Sequence, residues 1–211
     1  ARRAFLSAGH YAPLQQAVIN KVRELRIENL LDIGCGEGYY TDAMQSEVLQ
    51  CVGVDIAKNA VQVAAKINKN ITWVVGTGAT LPVLDQSIDL CSSLFSPIPK
   101  QEILRVLKPQ GYLLVVTPAP QHLYAMREAL FEEVKPHEPS KFVEQLSDAF
   151  DLVSDDVVDA ELKLNQQDLQ NLIAMTPYAY KAKQERREAL EAQTAFELQA
   201  QYQILLFQKK A

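Results

Sequence analysis

The sequence predicts an α/β protein: a mostly parallel, seven-stranded sheet with helices on both faces. Three observations carry the prediction. Short apolar runs alternate with helical patterns at the spacing of βαβ units. The first of these runs ends in a glycine-rich turn that opens a helix. No repeat, low-complexity tract or linker breaks the pattern, so residues 1–211 read as one domain with a helical N-terminal region over residues 1–28.

Residues 1–26 place Phe5, Leu14, Val18, Val22 and Leu25 at helical spacing, and Pro13 suits the first turn of a new helix. Leu30 to Ile33 is the first strand, followed by the glycine turn and a helix from about Tyr39. Further strands are Cys51 to Val54, Ile71 to Val75, Ile88 to Ser93 and Tyr112 to Thr117, with helices at Ala60 to Ile67 and Gln101 to Leu107. After Thr117 the pattern loosens. Gln121 to Val134 reads as a helix, and a turn region with Pro136 and Pro139 follows. Phe150 to Val153 and Val157 to Leu164 read as strands, and Asp168 to Met175 as a short helix. A last strand, Ala200 to Gln208, carries Tyr202, Ile204 and Leu206 on alternate positions.

Composition narrows the function classes. With 48% hydrophobic and 22% charged residues the chain is ordinary globular material and not a disordered one. No apolar run approaches the roughly 18 residues that span a bilayer, so no membrane association is expected. Three scattered cysteines, Cys35, Cys51 and Cys91, suit a reducing, cytoplasmic setting without disulfides. Neither they nor the histidines have metal-ligand spacing, and no metal is expected. A net charge of −5 argues mildly against a polyanionic partner. The chain opens at Ala1 and not at Met, which reads as a fragment of a longer protein.

The strongest signal is Leu30-Leu31-Asp32-Ile33-Gly34-Cys35-Gly36-Glu37-Gly38-Tyr39. A buried strand carrying Asp32 runs through G-x-G-x-G into a helix. Dinucleotide binders use G-x-G-x-x-G, which seats a pyrophosphate on the helix N-terminus. Here the third glycine comes one residue early, and an acid stands two residues before the first. That arrangement suits a cationic ligand without phosphate. S-adenosylmethionine, with its ammonium and sulfonium, meets the description, and Asp32 would hold the ammonium. Asp55, 17 residues past Gly38 at the end of the second strand, would take the ribose hydroxyls; a plain helix cap is the alternative. Thr77 stands where an acid often meets the adenine amino group and offers only a hydroxyl. A Rossmann-like methyltransferase domain is the expectation.

Further blocks carry a closer likeness. Ala1-Arg2-Arg3-Ala4-Phe5-Leu6 with Gly9-His10-Tyr11, then Leu31 to Tyr40, Thr117 to Leu123 and Met175-Thr176-Pro177-Tyr178 together resemble the bacterial 23S ribosomal RNA guanine-N1 methyltransferases. The resemblance implies methylation of guanine N1 in an RNA hairpin and a possible homodimer. It also implies cofactor contacts from residues matching Tyr11, Gly36, Glu37 and His122. Relatives carry a cysteine-rich zinc module ahead of the A-R-R block; this chain begins at that block.

The resemblance leaves the catalytic residues open, with His122, Glu37 and Phe95 as candidates. Phe95, in Ser92-Ser93-Leu94-Phe95-Ser96-Pro97 after the fourth strand, is placed to stack on the target base or else to pack in the core. Tyr178, Tyr180, Lys181, Lys183, Arg186 and Arg187 form a basic stretch with interleaved aromatics, a candidate RNA surface or a solvated helix face. Two other readings compete. A small-molecule methyltransferase shares the glycine loop and fits the charge better. A non-catalytic cofactor-binding subunit is the third.

Overall fold

The computed structural model describes residues 1–211. In chain order the elements are α1 (Arg2–Ser7), α2 (Ala12–Leu25), β1 (Asn29–Ile33), α3 (Tyr39–Gln45), β2 (Gln50–Asp55), α4 (Lys58–Ile67), β3 (Thr72–Val75), β4 (Ile88–Leu94), α5 (Lys100–Val106) and β5 (Leu107–Pro118). There follow α6 (Tyr124–Leu130), α7 (Ser140–Leu146), β6 (Phe150–Asn165), α8 (Gln166–Met175), α9 (Tyr178–Lys181), α10 (Gln184–Glu191) and β7 (Ala195–Lys209).

The seven strands form one sheet in the order β3-β2-β1-β4-β5-β7-β6. The pairs β1–β2, β1–β4, β2–β3 and β4–β5 are parallel, as expected of strands joined through helices. β7 is the exception. The Ala119 N–H donates to Gln201 and the Gln208 amide to the Gln110 carbonyl, so β7 runs against β5. The pairs Lys210–Ala149 and Gln203–Asp155 show the same reversal against β6. Strand order reverses between β1 and β4. Ligands of open α/β sheets bind outside the carboxyl ends at such a point.

Two compact units are distinguishable. The larger spans 15–117, 139–156 and 203–211. Its core joins Leu31 and Ile33 of β1, Cys91 of β4, Leu113 and Val115 of β5, Ile103 and Val106 of α5, and Leu205 and Phe207 of β7. The central strands are apolar on both faces because helices cover both. The smaller unit spans 1–14, 118–138 and 157–202. There α1 packs on α8, and α10 packs on α6 and α8. Phe5, Leu169, Leu172 and Ile173 are buried in it.

The structure corrects the sequence reading in the second half. The helix expected over Gln121 to Val134 is only α6, because Leu123 takes a left-handed backbone (φ +51°) and Phe131 is extended. The two strands expected on either side of Ser154-Asp155-Asp156 are one 16-residue strand, β6. β5 begins at Leu107, five residues before the predicted start. α7 emerges from a stretch that reads as a turn region, and α10 from the basic stretch whose alternative reading is a solvated helix face. No helix is long and apolar enough to cross a membrane.

Candidate active site

β1 delivers the glycine loop to the switch point, and its three glycines have different reasons to be glycine. All take positive φ: +76° at Gly34, +56° at Gly36 and +86° at Gly38. A Cβ on Gly34 would lie 2.5 Å from the Ser96 Cβ, and one on Gly38 would lie 2.5 Å from the Trp73 ring. These two allow close packing of protein on protein. A Cβ on Gly36 would meet nothing within 4 Å. That side of the backbone is open, as close approach by a ligand requires. Glu37, between Gly36 and Gly38, is exposed.

Two carboxylates flank the loop. Asp32 is 3% exposed. It accepts hydrogen bonds from the Thr41 hydroxyl at 2.6 Å and the Ser92 hydroxyl at 2.7 Å. Burial pushes its pKa up to about 6, against the pull of the two hydroxyls, and the neighbouring Asp55 charge raises it further. No cation is paired with it, which fits a site built to receive one. Asp55 accepts from the Gly36 N–H and the Ala57 N–H, each at 2.8 Å. It does not cap α4, whose N-cap is Ala57. A carboxylate has about four lone-pair positions, so Asp55 keeps acceptor capacity for hydroxyls while bracing the loop.

Apolar side chains stand exposed at the carboxyl ends of the neighbouring strands: Ile56 after β2 (73%), Val75 at the end of β3 (49%) and Phe95 after β4 (37%). Sequence reasoning singled out only Phe95 among them. Thr77 lies just beyond β3, and its hydroxyl accepts from the Ala79 N–H at 3.2 Å, serving its own turn. Phe95 has a left-handed backbone (φ +56°) and is tilted against Tyr40 with ring centroids 6.5 Å apart. An aromatic residue held in that region is uncommon and marks a position fixed by its surroundings.

The smaller unit gathers Tyr11, His122 and Tyr178. Tyr11 and His122 both pack on Tyr202, with centroids 5.1 Å and 4.8 Å away. His137 stands 6.3 Å from His122 and shares a 3.0 Å hydrogen bond with the Tyr178 hydroxyl. The three sequence blocks that hold Tyr11, His122 and Tyr178 therefore converge on one cluster of rings. Burial pushes the Tyr11 phenol up to about 12. Burial, with His137 and Arg127 nearby, lowers His122 to about 3. His122 is neutral at ordinary pH, and its Nδ1 accepts from the Gln201 N–H at 3.0 Å. The ring proton accordingly sits on Nε2.

Arg127, 4% exposed, fixes this segment from behind. Its guanidinium donates to the carbonyls of His122, Lys135 and Pro120 at 2.9, 2.8 and 3.0 Å. Nothing in the sequence marks Arg127, Thr41 or Trp73, and Ser92 and Ser96 stand out only as members of the loop that carries Phe95. In the basic stretch Tyr180 is 89% exposed. Lys183 and Arg186 both face Glu132, and Arg187 faces Glu191. Most of its positive charge is therefore compensated locally.

Known proteins resemble the chain beyond its glycine loop. A family model described as a methyltransferase domain matches residues 31–115. The 23S rRNA (guanine(748)-N1)-methyltransferase of Streptomyces fradiae is 32% identical over 188 residues, 85% of this chain and 67% of that protein. A Bacillus subtilis protein provisionally named a 23S rRNA (guanine-N1)-methyltransferase is 28% identical over 213 residues, 95% of this chain and 75% of its own length. Among solved structures, the YcgJ protein of Bacillus subtilis shares the fold, with a TM-score of 0.63 at 20% identity over 93% of this chain and 99% of that one. An open glycine backbone flanked by a buried carboxylate without a cation and a second carboxylate with spare acceptor capacity fits S-adenosylmethionine. The chain is an S-adenosylmethionine-dependent class I methyltransferase and belongs to the 23S rRNA (guanine-N1)-methyltransferase family.

Proposed function

We propose that the protein methylates N1 of a guanine in a hairpin of 23S rRNA. The observation that carries this reading is the Phe95 ring, 37% exposed after β4 at the switch point and adjoining the cofactor loop. A flat apolar face there suits a splayed base, because single-stranded RNA bases are recognised by stacking on aromatic rings. S-adenosylmethionine supplies an electrophilic methyl group; the chain has to align it with the nucleophile and exclude water.

The residues divide that work. Asp32 holds the ammonium group, Asp55 the ribose hydroxyls, and Ile56 and Val75 flank the adenine. Gly36 leaves the backbone open to the cofactor, while Gly34 and Gly38 shape the loop beneath it by letting Ser96 and Trp73 pack close. Thr77 and Tyr11 complete the set of cofactor contacts. His122, neutral with its proton on Nε2, is a hydrogen-bond donor that positions a bound group; a pKa near 3 makes it a poor proton acceptor. Guanine N1 is protonated at neutral pH, and its proton passes to the exposed Glu37 carboxylate, directly or through water. Tyr178, Lys181 and Lys183 contact the RNA on this reading, and Tyr180 offers a further exposed ring. The protein acts in the cytoplasm as a homodimer on this reading.

The test is transfer of labelled methyl from S-adenosylmethionine to unmodified 23S rRNA. N1 methylation blocks the Watson–Crick edge, so reverse transcription should stop at one guanine. Label found only on small metabolites would overturn the proposal.

A further inference from the structure

The loop that carries Phe95 is tied to the glycine loop at two places, and both ties pass through side chains that the reaction does not consume. Ser96 is the first tie. Its hydroxyl donates to the Ile33 carbonyl, the last residue of β1, at 2.7 Å. With that proton committed, the Ser93 hydroxyl is the donor in its 2.8 Å contact with Ser96 Oγ. The Ser93 proton is shared with the Ser96 carbonyl, 3.0 Å from Ser93 Oγ, and the bifurcated bond closes the four residues from Ser93 to Ser96 into a side-chain-locked turn. The Phe95 N–H is held by the Val116 carbonyl at 3.0 Å. Ser96 also sits where a Gly34 side chain would stand, 2.5 Å from that ideal Cβ. The second tie is Phe95 against Tyr40, which follows the glycine loop directly in α3.

We propose that Ser96 is a positioning residue that couples the cofactor loop to the base-stacking face of Phe95. A shift of Gly34 on cofactor binding is transmitted to Ser96 because the two are in direct contact without intervening side chain. Ser96 and Ser93 flank Phe95 and hold it in the left-handed conformation that turns its ring outward. The consequence is thermodynamic linkage: cofactor occupancy strengthens RNA binding, and RNA strengthens cofactor binding by the same factor. This rests on the Phe95 reading above, and the test separates the two.

The experiment measures hairpin-RNA affinity with and without S-adenosylhomocysteine, and RNA turnover, in wild type, Ser96→Ala, Phe95→Ala and the double variant. Cofactor affinity is followed in parallel by fluorescence of Trp73, the chain's one tryptophan, whose ring lies against Gly38 and Gly53. In Ser96→Ala the cofactor should bind within about twofold of wild type, while RNA turnover falls by about tenfold, the usual scale for one lost buried hydrogen bond. The cofactor-dependent gain in RNA affinity should disappear, and Ser96→Ala should add nothing in the Phe95→Ala background. Unchanged RNA affinity and turnover in Phe95→Ala would remove the stacking role, and the coupling with it. An impaired Phe95→Ala beside a Ser96→Ala that keeps the cofactor-dependent gain, or whose loss adds to that of Phe95→Ala, would leave Phe95 in place and overturn the role of Ser96. Should Ser96→Ala fold poorly by thermal melting, Ser93→Ala, which leaves the Ser96–Ile33 bond, must show the same loss of coupling or the proposal falls.

Discussion

Asp32 sits under electrostatic tension: a buried carboxyl whose pKa burial pushes up to about 6, with hydroxyls for company and no cation. The folded protein keeps its proton to about pH 6, the unfolded chain only to about pH 4, so this group costs stability as pH rises through that window. The shift corresponds to about 3 kcal/mol once the group is fully ionised. His122 acts in the opposite sense. The unfolded chain protonates it below about pH 6.5 while the fold keeps it neutral down to about 3, so its contribution is lost as pH falls. The two slopes offset each other between about pH 4 and 6. Asp32→Asn should therefore raise stability at pH 7 and leave a steeper loss on acidification, read by urea unfolding across pH. The same variant should weaken S-adenosylmethionine binding, and in wild type that binding should tighten as pH rises through 6, by calorimetry. Arg127→Leu would take the donor from three carbonyls, that of His122 buried and those of Lys135 and Pro120 half-buried; a loss of about 2–3 kcal/mol in denaturant unfolding is expected, with Arg127→Lys recovering part of it. None of these partnerships was legible in advance. Ser92 reaches Asp32 across 60 residues of sequence. Arg127 is spent on carbonyls of irregular backbone, which no spacing rule announces.

The glycine loop shows what a single element does reveal. Strand, acid, three glycines and helix were all readable, because each glycine answers a local backbone need that no other residue meets cheaply. What each glycine faces was not readable. The structure makes a contrast there. Gly36→Ala meets open space and should cost only the left-handed penalty of about 1–2 kcal/mol, while abolishing cofactor binding by filling the ligand's side. Gly38→Ala drives a methyl into Trp73 and should lower the melting temperature well beyond that. Equal melting temperatures for the two variants would contradict the assignment. The later elements conceal their boundaries. α6 has apolar periodicity that continues past its ends, yet Leu123 and Phe131 leave helical geometry. β6 carries Ser154-Asp155-Asp156, which reads as a turn but pairs with β7 through Asp155 and Gln203. α7 is announced only by Pro139, its N-cap residue, within a run that looked like loop.

At the scale of the molecule, the parallel half of the sheet was legible because every βαβ unit repeats one pattern, and the reversed β7 was not, because a strand's direction leaves no mark on its own alternation. The cofactor chemistry followed from that legible half. The target base did not; it rests on Phe95 and on blocks lying outside the common methyltransferase core. One margin of the sheet bears on how the protein meets other molecules. β6 is the outermost strand, and it offers Asp151, Asp155, Asp156 and Asp159 within nine residues, beside the exposed Leu152, Val153 and Val157. Unpaired backbone along such a border would ordinarily invite another chain to add itself. Asp151 and Asp156 face Lys210 and Lys21, while Asp155 and Asp159 meet only glutamine amides, so the border keeps negative charge that makes the invitation conditional: a like border brought alongside is repelled, and so is a phosphate chain. Neutralising the four with asparagine should promote self-association at low and high salt alike, visible in sedimentation.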